Sequence, residues 1–253
     1  MKAIKVRNIE IGAGKPKIIV PIVEKDIEAI VAQGTKLTKE KLDVVEWRVD
    51  FFEEVFDTEK VLAAAKGLRT ALGEIPILFT FRTKKEGGEK EISLEAYTKL
   101  NKALAESGLV DLIDVEIFSG DAIVRENIAN IHQAGAKVVG SNHDFFGTPT
   151  QADLVYRLRK MQDMGADIPK IAVMPKCKKD VLTLLSATEE MYTNYADRPI
   201  ITMSMAGTGS ISRLAGEAFG SAMTFGCVGK GSAPGQIGAT DLSQALDIIH
   251  SAL

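Results

Sequence analysis

The sequence predicts a (β/α)8 barrel (an α/β TIM barrel) with an N-terminal β-hairpin capping the barrel bottom. Three observations carry that prediction. The chain has 253 residues, close to the ~250 typical of the fold. Eight short apolar runs begin 23 to 35 residues apart. Between them lie longer amphipathic segments of helical period. A doubly wound open sheet is the main rival. It ranks lower because no G-x-G-x-x-G follows the first strand and the alternation continues unbroken to the C-terminus. No linker, low-complexity stretch or charge block divides the chain, so residues 1–253 read as one domain.

In chain order, residues 1–16, MKAIKVRNIEIGAGKP, alternate around Asn8 and supply the hairpin. The strands are then KIIVPIV (17–23), DVVEWRV (43–49), PILFTF (76–81), DLIDVEI (111–117), AKVVGSN (136–142), PKIAVM (169–174), PIITMSM (199–205) and AMTFGCV (222–228). They are rich in Val and Ile, and several open at Pro or Asp, as strand boundaries often do. The intervening helices include 58–72, 93–107, 150–164 and 179–195, with Thr58 and Ser93 as capping residues.

Composition narrows the function. At 45% hydrophobic and 26% charged residues the chain can bury a core. A net charge of -3 gives no excess positive charge for a phosphate backbone, so nucleic acid is not an expected partner. Cys177 and Cys227 form no close pair, which excludes a disulfide framework and a Cys-rich zinc motif. The N-terminus lacks a signal-peptide apolar stretch, and no apolar run approaches the ~20 residues needed to cross a bilayer. The expectation is a soluble, cytoplasmic protein with no membrane association.

Strand alternation then singles out candidate residues. Outward strand faces must pack on helices, so Val45, Trp47 and Val49 face out and send Glu46 and Arg48 inward. By the same rule Thr80, Arg82, Asp114, Glu116 and Lys170 point into the barrel. Barrel interiors are normally aliphatic, and unpaired buried charges are costly. These groups should form an ion-pair network or the floor of a polar ligand site. Lys170, near its strand start, could instead snorkel to the barrel bottom. His143 stands at a strand's C-terminal end, where barrel enzymes place catalytic groups; His132 and His250 read as helix-surface residues. Glycine-rich segments 206–216 and 229–238 follow the last two strands, and Arg213 is the fixed charge best placed in the first to grip an anion. GAGK (12–15) is not a P-loop, since Pro16 and Ile9 occupy the Ser/Thr and first Gly positions.

Six segments then carry a resemblance. EWRVDFF (46–52), FTFRTKKEGGE (79–89), SNHDF (141–145), PKIAVMPK (169–176), ITMSMAGTGSISRLAGEAFGS (201–221) and SAPGQI (232–237) together resemble type I 3-dehydroquinate dehydratase, in register along essentially the whole chain. The resemblance implies a homodimeric barrel that converts 3-dehydroquinate to 3-dehydroshikimate through a lysine Schiff base, with no metal and no cofactor. It implies Lys170 as imine former, His143 as the proton-transfer residue and Glu86 as the group orienting that histidine. Glu46, Arg48 and Arg82 would line the polyhydroxy ring. Arg213 would meet the carboxylate, and Ser232 and Gln236 would close over the substrate from the last loop, 230–238, read as a lid. Two departures are Pro21, where relatives can carry Ser, and Gly207, where they can carry Lys. The alternatives are an aldolase-like Schiff-base barrel acting on a sugar phosphate, and a barrel that binds an acidic metabolite without catalysis.

Overall fold

A computed structural model describes residues 2–229 and 235–253. Two short strands, β1 (Ile4–Val6) and β2 (Ile9–Ile11), pair antiparallel around a two-residue turn at Arg7 and Asn8. Arg7 adopts φ 48°, which a tight hairpin turn demands of its first residue. The Arg7 guanidinium binds Asp111 at 2.5 Å and Glu74 at 3.1 Å, fastening the hairpin to the barrel floor.

Eight parallel strands follow: β3 (Lys17–Ile22), β4 (Val44–Arg48), β5 (Ile77–Thr80), β6 (Leu112–Glu116), β7 (Lys137–Asp144), β8 (Ile168–Val173), β9 (Ile201–Ser204) and β10 (Met223–Cys227). Each hydrogen-bonds its sequence neighbour from β3 to β9, and β10 pairs with β3. The ring closes between β9 and β10 through an Ile200–Ser221 bridge, where the Ala222 N–H donates to the Ile200 carbonyl at 2.8 Å. Helices α1 (Ile27–Leu37), α2 (Thr58–Leu72), α3 (Leu94–Glu106), α4 (Asp121–Gln133), α5 (Gln151–Asp163) and α6 (Lys178–Asn194) follow β3 to β8 in turn. After β9 come two short helices, α7 (Ile211–Leu214) and α8 (Gly216–Phe219), and α9 (Ala239–Ala252) ends the chain. The expected barrel and its hairpin are both present.

One boundary differs from expectation. Thr58 is the first helical residue of α2, and the cap is Asp57, whose carboxylate accepts from the Glu59 and Lys60 amides at 3.0 and 3.3 Å. Asp57 holds extended backbone angles, as a cap requires. Ser93 caps α3 as expected, accepting from the Ala96 amide. The predicted lid, 230–238, lies largely outside the described residues. Its end, β11 (Ile237–Gly238), pairs parallel with β10.

Alternation splits the core into two layers. Val45, Trp47, Phe79, Phe81, Ile113, Val115, Ile171 and Val173 pack outward against the helices. Inside, Ile19, Val44, Leu78, Leu112, Val139, Ile168, Ile201 and Met223 form an apolar floor, joined from below by Val6 and Ile11 of the hairpin. The hairpin therefore plugs the bottom, and every polar interior side chain lies above that plug.

A recurring clasp secures the floor. Asp43, just before β4, accepts the Ile18 amide of β3 at 2.7 Å. Asp111, just before β6, accepts the Ile77 amide of β5 at 2.8 Å. Asp167, before β8, accepts the Val138 amide of β7 at 2.8 Å. Before β10 the Ser221 hydroxyl takes the same part, accepting the Thr202 amide of β9 at 3.0 Å. Each clasp satisfies an amide near a strand's beginning, where an unpaired buried donor would be costly.

Candidate active site

Above the floor, the inward positions of β4 to β8 turn polar. Glu46, Thr80, Asp114, Ser141 and Lys170 form one tier, with Arg48, Arg82, Glu116 and His143 nearer the strands' C-terminal ends. They surround a cavity of about 230 Å³ lined by Glu46, Arg48, Arg82, Glu86, His143, Lys170, Arg213 and Gln236. Ala172, Met203, Met205, Phe145 and Phe225 complete it with an apolar wall. Eight of the nine sequence-predicted site residues thus meet in one cavity; Ser232 lies outside the described residues.

An ion-pair network and an open cavity, alternatives for these charges on sequence, occur together. Arg82 anchors the network, contacting Asp114 and Glu116 at 2.8 Å each and donating to the Ser141 hydroxyl at 3.0 Å. Ser141 in turn donates to Asp114 at 2.6 Å. Much of the Arg82 guanidinium is committed here, so its part in the cavity is to organise the wall as well as to line it. Arg48 is held by both oxygens of Asp50, at 2.8 and 2.7 Å. Asp50 is fully buried and also accepts the Arg82 and Glu89 amides, tying the end of β4 to the loop that carries Glu86.

Lys170 does not snorkel to the floor. Its side chain is 4% exposed, with Nζ 3.6 Å from Asp114, 3.9 Å from Glu46 and 4.6 Å from the centroid of the Phe225 ring. Burial lowers its pKa; the Asp114 and Glu46 carboxylates pull the other way, and Arg82 and Arg48 add to the lowering. Burial and the two arginines thus favour the neutral amine, with two carboxylates opposing them. Asp114 itself lies below the usual carboxylate range: burial pushes it up, but Arg82, Lys170 and the Ser141 hydrogen bond outweigh that.

His143 is oriented by Glu86. One carboxylate oxygen, Oε2, faces the His143 backbone amide at 2.9 Å and ring Nδ1 at 3.0 Å. The other, Oε1, accepts from the Asn142 amide at 3.1 Å. Arg157 donates to the Asn142 carbonyl at 2.9 Å, which fixes that side chain's orientation. An ionised Glu86 holds the proton on Nδ1 and leaves Nε2 as the acceptor. Burial drives the His143 pKa well down, reinforced by Arg82, Lys170 and Arg48, so the ring rests neutral. Burial and the nearby Glu116 raise Glu86 to about 7, against Arg82 and Asn142.

Arg213, from α7, enters beside the apolar wall, 3.8 Å from the Met203 sulfur and 3.4 Å from the Phe225 carbonyl. Burial lowers its pKa to about 10. Pro21 faces inward beside Glu46 on the paired strand, and Gly207 opens a turn with no neighbour where a Cβ would sit. His132 and His250 lie on helices, paired with Asp167 and Glu217, as expected of surface residues. Sequence reasoning missed Asp50, although the 46, 48, 50 alternation pointed to it. It also missed the Phe225 ring.

The comparisons agree along the whole chain. The profile of the type I 3-dehydroquinase family matches residues 18–252. The chain belongs to that family. A 3-dehydroquinate dehydratase of Escherichia coli O9:H4 (strain HS) is 57% identical over 252 residues, covering 100% of both chains. A crystal structure of the type I 3-dehydroquinate dehydratase of Clostridium difficile, with covalent modified comenic acid, superposes at TM-score 0.97 and 52% identity, covering 100% of this chain and 99% of that one. The Geobacillus kaustophilus 3-dehydroquinate dehydratase gives 0.96 at 43% identity, covering 99% and 97%. A 3-hexulose-6-phosphate synthase at 15% identity and TM-score 0.62, covering 90% and 99%, shares the fold alone.

Proposed function

We infer that the chain is a hydro-lyase of the shikimate pathway that removes water from 3-dehydroquinate to give 3-dehydroshikimate through a Schiff base on Lys170. The observation that carries this reading is a buried lysine inside a cavity whose wall bears an imidazole aligned by a carboxylate. An ordinary ketone holds its α proton too tightly for imidazole to remove. Neutral Lys170 adds to the ketone, and the carbinolamine hydroxyl leaves as water with one proton taken from solvent and given back on final hydrolysis; the product is a protonated imine whose cationic nitrogen acidifies the α proton. His143 takes the proton at Nε2 to form the enamine, and the imidazolium is steadied by Glu86 across Nδ1. The enamine then expels the hydroxyl on the next carbon, and His143 returns the proton to it as it leaves. One residue serving both steps requires proton and hydroxyl to depart from the same face. Water finally hydrolyses the conjugated imine and frees Lys170.

Glu46 and Arg48 suit the ring hydroxyls, and the planar fork of Arg213 suits the carboxylate. Ser232 and Gln236 would add neutral hydrogen bonds from the last loop. We place the activity in a cytoplasmic homodimer, an assembly to be measured by light scattering. Among the described residues no helix is long and apolar enough to cross a membrane.

The test is direct. 3-Dehydroquinate should be converted to an enone absorbing in the ultraviolet, and borohydride added during turnover should attach the ligand to Lys170, located by peptide mass mapping. An adduct on another lysine, or none, would refute the assignment. Turnover of a phosphorylated ketose in place of 3-dehydroquinate would favour the aldolase reading.

A further inference from the structure

The polar and apolar halves of the cavity meet at the Lys170 nitrogen, and the apolar half meets it with the face of an aromatic ring. Nζ stands 4.6 Å from the centroid of Phe225, inside the ~6 Å over which a ring quadrupole attracts a cation. Both side chains are buried, so water screens the pair little. The nearby carboxylates are already engaged. Asp114 is held by Arg82 and Ser141, and Glu46 accepts the Thr80 hydroxyl at 2.9 Å. Either carboxylate could also take a proton from the lysine nitrogen. An aromatic face can do neither: it attracts positive charge and accepts no proton.

We propose that Phe225 is a further catalytic residue, an uncharged counter-group whose ring face stabilises the protonated imine on Lys170. The proposal rests on the Schiff-base reading and deepens it. Along that sequence the nitrogen alternates between cationic and neutral states: neutral amine, cationic imine, neutral enamine, cationic conjugated imine. A π face beside it favours the two cationic species, from which deprotonation and final hydrolysis proceed. It does so without a base that could draw off the imine proton. The isolated cation–π attraction corresponds to roughly 2- to 30-fold in the population of the cationic form.

The test replaces Phe225 with phenylalanines carrying one, two and three ring fluorines, which keep the ring's shape while cancelling its quadrupole stepwise, and with leucine. Circular dichroism and thermal melting check that each variant is folded. The readout is the rate at which borohydride fixes the ligand on Lys170 at saturating substrate. The expected result is a graded fall with fluorine number, reaching about 10-fold for the trifluoro ring, with Phe225→Leu at least as low. A folded trifluoro variant that traps at the native rate would overturn the proposal. So would a loss confined to Phe225→Leu, since that reports packing rather than charge. A native enzyme that traps no ligand would remove the lysine-imine reading itself, an outcome distinct from flat fluorine dependence in an enzyme that does trap.

Discussion

Glu86→Gln separates orientation from charge at His143, the proposed proton carrier. Three donors converge on the carboxylate: the His143 backbone amide, His143 Nδ1 and Asn142 Nδ2. A glutamine offers one acceptor oxygen and one amino group. Asn142 cannot turn to compensate, because Arg157 holds its carbonyl at 2.9 Å. Facing its oxygen towards His143 creates one donor–donor conflict, at Asn142; the reverse creates two. The first arrangement therefore wins, keeps the Nδ1 proton in place, and costs about 1–3 kcal/mol of stability for the stranded donor. Catalysis loses the negative charge opposite the imidazolium. A hydrogen bond to a charged group contributes about 1.5–3 kcal/mol and a neutral one about 0.5–1.5, so the difference of about 1–1.5 kcal/mol is roughly 5- to 13-fold in turnover. The pH profile supplies a second readout. Because the Glu86 carboxyl titrates at about 7, native turnover should fall as the pH drops through that region and the carboxylate is neutralised. The variant should lack this acid limb. Stopped-flow measurement of enone formation from pH 5.5 to 9 tests both. A variant with native turnover, or one that keeps the limb, would refute the reasoning.

His143→Ala should lose at least ~10²-fold in turnover, the usual scale for an acid–base group, yet still yield a borohydride adduct on Lys170; a variant with near-native rate contradicts the assigned role. Gly87→Ala should destabilise the fold and disturb the cavity wall. Gly87 has φ 85°, and an added Cβ would lie 2.4 Å from the Phe145 ring; an unchanged melting temperature would count against that geometry. Asp111→Ala removes the partner of Arg7, of Arg69 at 2.6 Å and of the Ile77 amide. The expected cost is about 2–3 kcal/mol in urea unfolding, reduced from a fully buried pair by partial exposure. Turnover per folded molecule should stay unchanged, and a selective loss of turnover would show that the floor communicates with the site.

Much of the cavity was legible because a barrel strand offers two faces and the apolar one identifies itself. Val45 and Trp47 going out leaves Glu46 and Arg48 no other direction, and the same logic places Thr80, Arg82, Asp114 and Lys170. Asp50 escaped because the chain leaves β4 as a 3-10 turn at Val49–Phe51, where strand alternation no longer formally applies although the side chain still points inward. Phe225 escaped for a different reason. An aromatic in an apolar strand reads as core, and only a distance to Nζ distinguishes packing from electrostatics. Distance also explains the incomplete account of Lys170. Alternation put Asp114 and Glu46 inside, but only their separation from the nitrogen shows that they resist the loss of its proton. At α2, two adjacent capping types, Asp57 and Thr58, were both available to sequence reasoning, and backbone geometry chose the first.

The four clasps beneath the barrel give it an address system. In a strand, sliding by one residue exchanges the two faces completely, so a one-step slip of β8 would hide Lys170 among the helices and present Ile171 to the substrate. Asp167 resists that slip by engaging Val138 at the far end of the same pair of strands. Asp43, Asp111 and Ser221 do likewise for the other pairs, and ring closure means that no strand can shift without displacing its neighbours. Losing one clasp thus weakens the whole without misdirecting any side chain. Which residues reach the substrate is decided at the end of the barrel that the substrate never approaches.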